Sequence, residues 1–207
     1  MPIPAIEPLA PRAITTPVTH PGVLWELKHD GWRALLYVDR RRGRFISRTG
    51  RDMPRFQWLA DQLAKALQLE TVVLDGELVC LDADGRSHFA QLSRRDANVC
   101  FYAFDLLWSG AGDQRQVLWQ QRQNTIHALW PMGVAGMLIA SSVSDGEALF
   151  AEVCRLDLEG VVGKAVGAPY ALVRGRVPWV KVLNPDYTQK RGRAEAFKRR
   201  PRPKGMS

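Results

Sequence analysis

Short apolar runs alternate with polar segments along the chain and predict many strands with helices between them. Three early runs are rich in β-branched and aromatic residues, and only Gly31 and an arginine-rich turn at 40–43 separate them. Because these separating segments are short, we expect three consecutive antiparallel strands. Two later runs are the most apolar and predict central strands. The predicted strands cover residues 23–29, 33–39, 43–47, 71–81 and 99–107.

Apolar residues at helical spacing predict three helices between and after these strands. The first helix follows Asp52, a residue type that caps helices, and the third begins where Ser144 and Glu147 have the spacing of a capping box. The predicted helices cover residues 54–69, 114–129 and 144–156. Two strand-like segments follow at residues 160–166 and 177–183. The whole pattern predicts an α+β fold, with antiparallel sheets and helices packed outside them.

The composition is that of an ordinary globular domain, with 46% hydrophobic and 24% charged residues in a chain of 207. We expect one domain over residues 1–187 and a tail over residues 188–207. Residues 1–22 hold six of the thirteen prolines and are expected to wrap the surface as irregular chain. No apolar stretch approaches the roughly 18 residues of a membrane span, and no signal segment is recognisable, so we expect a cytoplasmic protein without membrane contact.

The cysteines and histidines do not suggest a zinc site. The three cysteines are far apart, and no cysteine or histidine set has zinc-ligand spacing. We therefore expect buried, reduced thiols. The three thiols are those of Cys80, Cys100 and Cys154.

The excess positive charge lies near the C-terminal end of the chain. The net charge is +8, and residues 190–204 hold eight basic side chains against the single acid Glu195. The rest of the chain is therefore close to neutral. A basic segment that contains proline is typical of a disordered arm that binds nucleic acid, although a tail that only aids solubility is the alternative.

A lysine at the end of a predicted strand is the first candidate for chemistry. Lys28 is followed by Asp30 and Gly31, where the chain can turn tightly, and then by Arg33. A lysine amine is a poor nucleophile at its ordinary pKa of about 10.4, and partial burial beside positive charge is needed to make it neutral. The alternative is a surface turn with scattered charges.

Acidic residues interrupt the two most apolar runs. Asp75 and Glu77 lie within residues 71–81, and Asp105 follows Phe104 at the end of the other run. Buried carboxylates are costly unless they bind a cation or a strong hydrogen-bond donor, so we expect them to face a site. Phe104 could stack on a nucleotide base, although an ordinary core phenylalanine is the alternative.

Two lysines on the last predicted strands are further candidates. Lys164 ends the segment Glu159-Gly-Val-Val-Gly-Lys, and Lys181 ends Trp179-Val-Lys. Strand positions would let both lysines point into a cleft. The glycine and lysine spacing of a phosphate-binding Walker loop is absent, so side chains on sheets would have to bind any phosphate.

In this order, six motifs resemble those of the covalent nucleotidyltransferases, and among these the ATP-dependent DNA ligases of the small bacterial kind. The motifs read KHDGWR, SRTGRD, LDGEL, FYAFDLL, EGVVGK and WVK. The resemblance covers about residues 25–184. It implies the covalent nucleotidyltransferase fold, which is ATP-grasp-like and built from antiparallel sheets with flanking helices.

The resemblance also implies a mechanism with ATP as donor, in which Lys28 carries AMP, AMP moves to the 5′-phosphate of nicked double-stranded DNA, and the nick is sealed. The catalytic residues implied are Lys28, Arg33, Arg48 and Lys181. The nucleotide-binding residues implied are Glu26, Lys28, Arg33, Glu77, Phe104, Lys164 and Lys181. The ligands implied for Mg²⁺ or Mn²⁺ are Glu77 and Glu159.

The sequence departs from the family pattern in two places. Leu183 stands where a second lysine usually follows Lys181, and the chain ends where the family usually continues into an OB-fold domain. We therefore expect a separate OB-fold or repair protein as a partner, and a monomeric chain associated with the bacterial nucleoid. The alternatives are an RNA ligase or capping-type nucleotidyltransferase, or a nick- or end-binding protein that has lost ligation.

Overall fold

Over the residues that the computed structural model describes, the chain forms two β-sheets that face each other, with three α-helices outside them. The structure describes residues 3–67, 70–94, 97–130 and 133–190, so the predicted tail lies outside the described residues except for residues 188–190. The strands are β1 (Arg12–Ala13), β2 (Val23–Lys28), β3 (Trp32–Asp39), β4 (Arg42–Ser47), β5 (Thr71–Cys80), β6 (Val99–Ser109), β7 (Gly112–Asp113), β8 (Met137–Ile139), β9 (Ser142–Val143), β10 (Gly160–Ala165) and β11 (Trp179–Leu183). The helices are α1 (Gln57–Ala66), α2 (Trp119–Leu129) and α3 (Gly146–Arg155), with short 3-10 helices at Pro54–Phe56 and Phe89–Ser93.

The first sheet has the strand order β1-β11-β10-β2-β9. Its central strand β10 pairs antiparallel with both β2 and β11, and this register aligns Val162 with Glu26 on one side and with Lys181 on the other. The same register places Lys28 opposite Gly160. Because side chains alternate along a strand, charged residues from three strands share one face of this sheet.

The second sheet has the order β4-β3-β5-β6-β7, and β8 pairs with β6 in parallel. The pairing of β5 with β6 changes register between Asp75 and Gly76, where Asp105 and then Ala103 lie opposite. Phe104 is therefore the extra residue of a β-bulge and has no partner opposite it. A bulge redirects a side chain and leaves backbone groups without a hydrogen bond to the neighbouring strand. Both effects matter at the cleft between the sheets.

The main hydrophobic core lies on the outer face of the second sheet, under α1 and α2. A smaller core joins the first sheet to α3 through Trp25 and Val153. Gly146 begins α3 directly against the Trp25 indole, where a Cβ atom would lie 2.4 Å from Nε1. A larger residue at this position would push α3 away from the first sheet.

Residues 3–14 form an extended segment, here called the N-terminal strap, that connects the two sheets. The Ile6 N–H donates to Tyr37 Oη of β3 at 3.0 Å, and the Leu9 N–H donates to Tyr170 Oη at 2.9 Å. β1, within the strap, pairs in parallel with β11 of the first sheet. The strap forms no helix, as the prolines predicted.

The predicted α+β class is confirmed, but β2 and β3 are not the paired neighbours that we expected. β2 lies in the first sheet between β10 and β9, whereas β3 lies in the second sheet. The short connection crosses between sheets at Gly31, where a Cβ atom would lie 2.3 Å from the Leu78 carbonyl oxygen. A short connection therefore does not make a hairpin here, because residues distant in sequence supply both partners of β2.

Both predicted helix caps are wrong, and the second helix is shorter than predicted. Asp52 forms an isolated β-bridge with Ile46 instead of a cap, and α1 follows a 3-10 turn. The cap of α3 is Asp145, whose Oδ1 accepts the Ala148 N–H at 2.9 Å, and not Ser144. α2 begins at Trp119 and not at residue 114, because the residues before it form turns that include a side-chain bond from Arg115 to Asp113.

Burial of the three thiols is confirmed for Cys80 only. All three are free thiols, but Cys100 is half-buried and Cys154 is exposed on α3. Along the described ranges, no helix is both long and apolar enough to cross a membrane.

One buried ion pair should contribute strongly to stability. Asp105 and Arg122 are fully buried and form two bonds of 2.6 and 2.8 Å. Arg122→Met should lower the free energy of unfolding by about 3–5 kcal/mol, because it leaves the Asp105 carboxylate buried and uncompensated. Urea unfolding measures this loss.

The double variant Asp105→Leu/Arg122→Met should recover most of the loss, since no buried charge remains. Arg155→Met, which removes an exposed partner of Glu152, is the control and should cause no measurable change. A single variant as stable as the wild type would show that the pair has no structural importance.

Candidate active site

A cleft of about 250 Å³ opens between the two sheets. The first sheet lines one side, the second sheet lines the other, and Leu9, Ala10 and Pro11 of the N-terminal strap close part of it. All the site residues predicted from the sequence lie along this cleft. They are Glu26, Lys28, Arg33, Arg48, Glu77, Phe104, Glu159, Lys164 and Lys181.

Lys28 lies at the end of β2, with its amine in contact with a carboxylate. Its Nζ is 2.7 Å from Glu159 Oε2, and the two side chains are 21% and 8% exposed. The pair follows from strand register, because Lys28 lies opposite Gly160, the residue after Glu159. The amine is therefore oriented at the cleft while solvent and ligands can still reach it.

Lys164 is buried under aromatic rings and forms an ion pair with Glu26. Its Nζ is 2.8 Å from Glu26 Oε2, 2.8 Å from the Phe104 carbonyl oxygen, and 4.6 Å from the centre of the Trp179 ring. The bulge makes that carbonyl available, since it takes Phe104 out of the ladder. The amine is thus already bound, and the role of Lys164 in binding phosphate stays a prediction.

Glu26 combines burial with an unused oxygen. Burial raises the pKa of Glu26 to about 7, although the Lys164 ammonium opposes this rise. Its Oε1 has no hydrogen-bond partner within the described part of the chain. A buried carboxylate oxygen without a partner is costly, so a ligand in the cleft that offered a donor would relieve the cost.

Arg33 forms part of the floor of the cleft. Its Nε and Nη2 each lie 2.6 Å from an oxygen of Asp75, and Nη2 also donates to the Leu9 carbonyl oxygen at 3.2 Å. Burial lowers the pKa of Arg33, but the contact with Asp75 outweighs this effect and holds the pKa above its ordinary value. Its guanidinium stacks on the Phe104 ring at 4.5 Å. Arg33 thus orients Phe104, and its contact with phosphate stays a prediction.

The remaining cations lie toward the rim of the cleft. Arg48 is exposed just after β4, and Lys181 is half-buried on β11. Neither side chain has a hydrogen bond or ion pair among the described residues. Leu183, two residues after Lys181, lies on the same face and is 44% exposed at the cleft. The departure from the family pattern therefore places an apolar side chain at the cleft on β11, level with Lys28 and separated from it by Gly160 of β10.

Several residues that hold Lys28 in place could not be found from the sequence. The ring of His29 packs edge-on against Tyr102, with 4.5 Å between the ring centres. The Asp30 N–H donates to Ser87 Oγ at 3.1 Å, and Tyr187 Oη donates to Asp30 Oδ2 at 3.4 Å. These contacts join segments more than 50 residues apart, with separations of 57 and 157 residues, and no local pattern signals them.

The carboxylates of the cleft do not form a preformed metal centre. No group of three or more potential metal ligands occurs where the structure describes the chain. Glu77 and Glu159 both line the cleft, from strand β5 and from the residue before β10. Mg²⁺ is often bound by one or two carboxylates together with phosphate oxygens and water. The two residues fit a metal ion that is held jointly with a nucleotide.

Two facing sheets with a lysine at their cleft define the nucleotidyltransferase fold. Comparison with known proteins points to the same fold and to a family. A sequence model of the family described as "ATP dependent DNA ligase domain" matches residues 10–182. The crystal structure of the ligase domain of Mycobacterium tuberculosis LigD has a TM-score of 0.67 and 32% identity, over 84% of this chain and 58% of that one. Mycobacterial DNA ligase D complexed with ATP and MES has the same TM-score, with 31% identity over 84% of this chain and 60% of that one.

The chain therefore belongs to the ATP-dependent DNA ligase domain family, as its motifs predicted. The multifunctional non-homologous end joining protein LigD of Pseudomonas aeruginosa is 33% identical over 189 residues, which are 86% of this chain. The match covers 22% of that protein, and the LigD of Mycolicibacterium smegmatis is likewise matched over 21% of its length. The chain thus spans about a fifth of these curated relatives.

His29 should make stability depend on pH. Burial and then the charge of Lys28 lower the pKa of His29 to about 4, whereas the unfolded chain has about 6.5. Between these values the unfolded chain binds a proton that the folded chain does not, so His29 lowers stability as pH falls through this range. His29→Phe keeps a ring against Tyr102 and removes the titration.

Urea unfolding at a series of pH values should therefore show that the free energy of unfolding of the variant rises relative to that of the wild type from about pH 6.5 downward. Above that pH the difference should stay constant. A difference that does not change with pH would contradict the assignment.

Proposed function

We propose that this chain is the catalytic core of an ATP-dependent DNA ligase that forms a lysyl-AMP intermediate on Lys28 and seals nicked duplex DNA. The observation that carries the proposal is the position of the Lys28 amine, 2.7 Å from Glu159 at a cleft between two sheets. Family membership supports the reaction class. The LigD proteins are much longer and are named for non-homologous end joining. We extend end joining to this chain as part of the same proposal.

The chemistry is a series of three phosphoryl transfers. Lys28 Nζ attacks the α-phosphorus of ATP, a P–N bond forms, and the bond to pyrophosphate breaks. Before attack the ammonium must lose a proton, and Glu159 Oε2 is the acceptor in direct contact with it. A 5′-phosphate oxygen of the nick then displaces Lys28 from AMP, and the 3′-hydroxyl displaces AMP from the 5′-phosphorus. Such reactions depend mainly on positioning and charge.

The inner part of the cleft suits the adenine base. Phe104 offers an aromatic ring, and Arg33 and Lys164 lie 4.5 and 4.7 Å from its centre. Glu26 Oε1, buried and without a partner in the described ranges, can accept a hydrogen bond from the adenine amino group. Guanine presents a carbonyl oxygen at that position. In the ionised form of Glu26 the same oxygen therefore favours ATP over GTP, which argues against a capping-type enzyme.

The rim of the cleft suits the phosphates. Lys181 and Arg48 supply positive charge, and Glu77 and Glu159 would hold Mg²⁺ or Mn²⁺ together with phosphate oxygens. The metal ion, when bound, would supply charge that stabilises the phosphates in the transition state. Leu183 adds no charge beside Lys181, so we expect pyrophosphate to be held less tightly than by a pair of lysines.

The central test is covalent labelling with α-labelled ATP and Mg²⁺. The wild type should acquire covalent label that survives alkali and is released by acid, as a P–N bond requires, and Lys28→Ala should acquire none, because no other nucleophile is proposed. Lys65→Ala, which removes an exposed lysine of α1, is the matched control and should be labelled like the wild type. Thermal unfolding should show that Lys28→Ala remains folded.

Persistent label on Lys28→Ala would refute the proposal. Labelled GTP in place of ATP tests the base: label from GTP at the ATP rate would favour a capping-type enzyme. Lysine labelling without sealing of a nicked duplex would favour the alternative of a binding protein that has lost ligation.

Glu159→Ala should slow labelling strongly, because the residue contacts Lys28 and is a candidate metal ligand. Loss of a group that accepts a proton typically costs about 10²–10⁴-fold in rate. If Glu159 also holds the metal, a raised Mg²⁺ concentration should restore part of the rate. The measurement is the single-turnover labelling rate over a range of Mg²⁺ concentrations, and a rate equal to the wild type would exclude both roles.

A further inference from the structure

The turn between β3 and β4 carries arginines in a conformation that arginine rarely adopts. Asp39 pairs with Arg42, so Arg40 and Arg41 form a two-residue loop, and their φ angles are 47° and 65°. Positive φ at both positions is the geometry of a type I′ turn, in which asparagine and glycine are preferred. Residues with a Cβ atom are disfavoured there. Stability of the turn therefore does not explain why two arginines occupy it.

Further arginines continue from this turn along the edge strand β4. Arg42 and Arg44 lie on one face of the strand, and Arg48 follows on the same side at the rim of the cleft. The opposite face carries Phe45, which packs into the main core against α1. Arg42 and Arg48 are six positions apart in the chain, so the row is about 20 Å long.

These five residues, here called the arginine row, are all exposed: Arg40, Arg41, Arg42, Arg44 and Arg48. None of them forms an ion pair or a side-chain hydrogen bond within the described part of the chain. Arg44 lies 5.3 Å from the centre of the Tyr37 ring. Asp39 is the acid nearest in sequence, and it is not within ion-pair distance of any of them.

We propose that the arginine row binds the phosphate backbone of duplex DNA over a stretch that begins at the cleft and extends about 20 Å away from it. A duplex presents one phosphate per 3.4 Å of axis on each strand, so about six base pairs fit this length. This inference rests on the proposed function only for the choice of a nicked duplex as ligand. Part of the affinity for DNA would then lie outside the site of phosphoryl transfer.

Phosphate is the chemistry that fits the row best. Exposed guanidinium groups without acidic partners bind phosphate oxygens in pairs of hydrogen bonds. Residues 51–53 pair with β4 near Ile46, so a rod-like partner would lie on the exposed face of the strand, which carries Arg42 and Arg44, and not along its edge. A linear row of like charges matches a linear array of opposite charges better than it matches a small anion.

The test uses the full chain and two double variants. Arg40→Asn/Arg41→Gly removes two charges and installs the residues that a type I′ turn prefers, so it should unfold at the same or a higher temperature than the wild type. Arg42→Gln/Arg44→Gln removes two charges from the exposed face of β4. The control Lys65→Gln/Arg155→Gln removes two exposed charges from α1 and α3, on the outer side of the sheets.

The measurement is a salt titration of binding to a fluorescent nicked duplex by anisotropy. Each lost phosphate contact flattens the slope of log affinity against log salt by about 0.9, so each row variant should lose about 2 units when both of its arginines bind. The control should keep the wild-type slope. Row variants with the slope of the control would overturn the proposal.

The length of the duplex on each side of the nick, here called an arm, tests where along the DNA the arginine row binds. Duplexes with about 16 base pairs on both sides of the nick should separate the row variants from the control, whereas shortening one of the two arms to about 4 should abolish the difference. A difference that survives shortening of either arm would overturn the placement along the duplex.

Labelling of Lys28 by ATP, measured without DNA, should be unchanged in every one of these variants. Normal labelling with unaltered salt slopes would overturn the arginine row and leave the proposed function standing. Altered slopes in a chain that is never labelled would support the row and remove the proposed function.

Discussion

Charge buried between two apolar sheets is the constraint on which the rest of this structure depends. A charged group in such a place is costly unless an opposite charge and hydrogen bonds accompany it. The fold meets this requirement with three pairs, Glu26–Lys164, Arg33–Asp75 and Asp105–Arg122. Each pair joins different segments of the chain. The first pair joins β2 to β10 within the first sheet, the second joins β3 to β5 within the second sheet, and the third joins β6 to α2.

These pairs also decide which groups remain for a ligand. Lys164 and Arg33 are engaged with carboxylates and with Phe104, so they shape the inner cleft more than they add free charge. Lys181 and Arg48 remain available at the rim. Lys28 is intermediate, because its partner Glu159 lies where the amine can still be reached. A division between a fixed interior and an available rim suits a reaction that depends on positioning and charge.

Residues that line the cleft could be predicted from the sequence, but the ion pairs that they form could not. Acids inside apolar runs and lysines at strand positions are local signals, and they identified Glu77, Lys164 and Lys181 as cleft residues. The partner of a buried charge depends on strands that meet from distant parts of the chain, as with Arg122 and Asp105. The assignment of β2 and β3 to one hairpin failed for the same reason, since strand partners are long-range.

The sheet that carries Lys28 is assembled from the two ends of the chain, and this has a consequence for synthesis on the ribosome. Among the described residues β2 pairs only with β9 and β10, and β1 pairs with β11, so within that part of the chain no strand of this sheet has a partner until residue 142 has been made. The second sheet, apart from β7 and β8, is complete by residue 109. Contacts distant in sequence form slowly because their loops must close first. During translation the second sheet can form early, while the strand that carries the lysine waits for the last part of the domain to leave the exit tunnel.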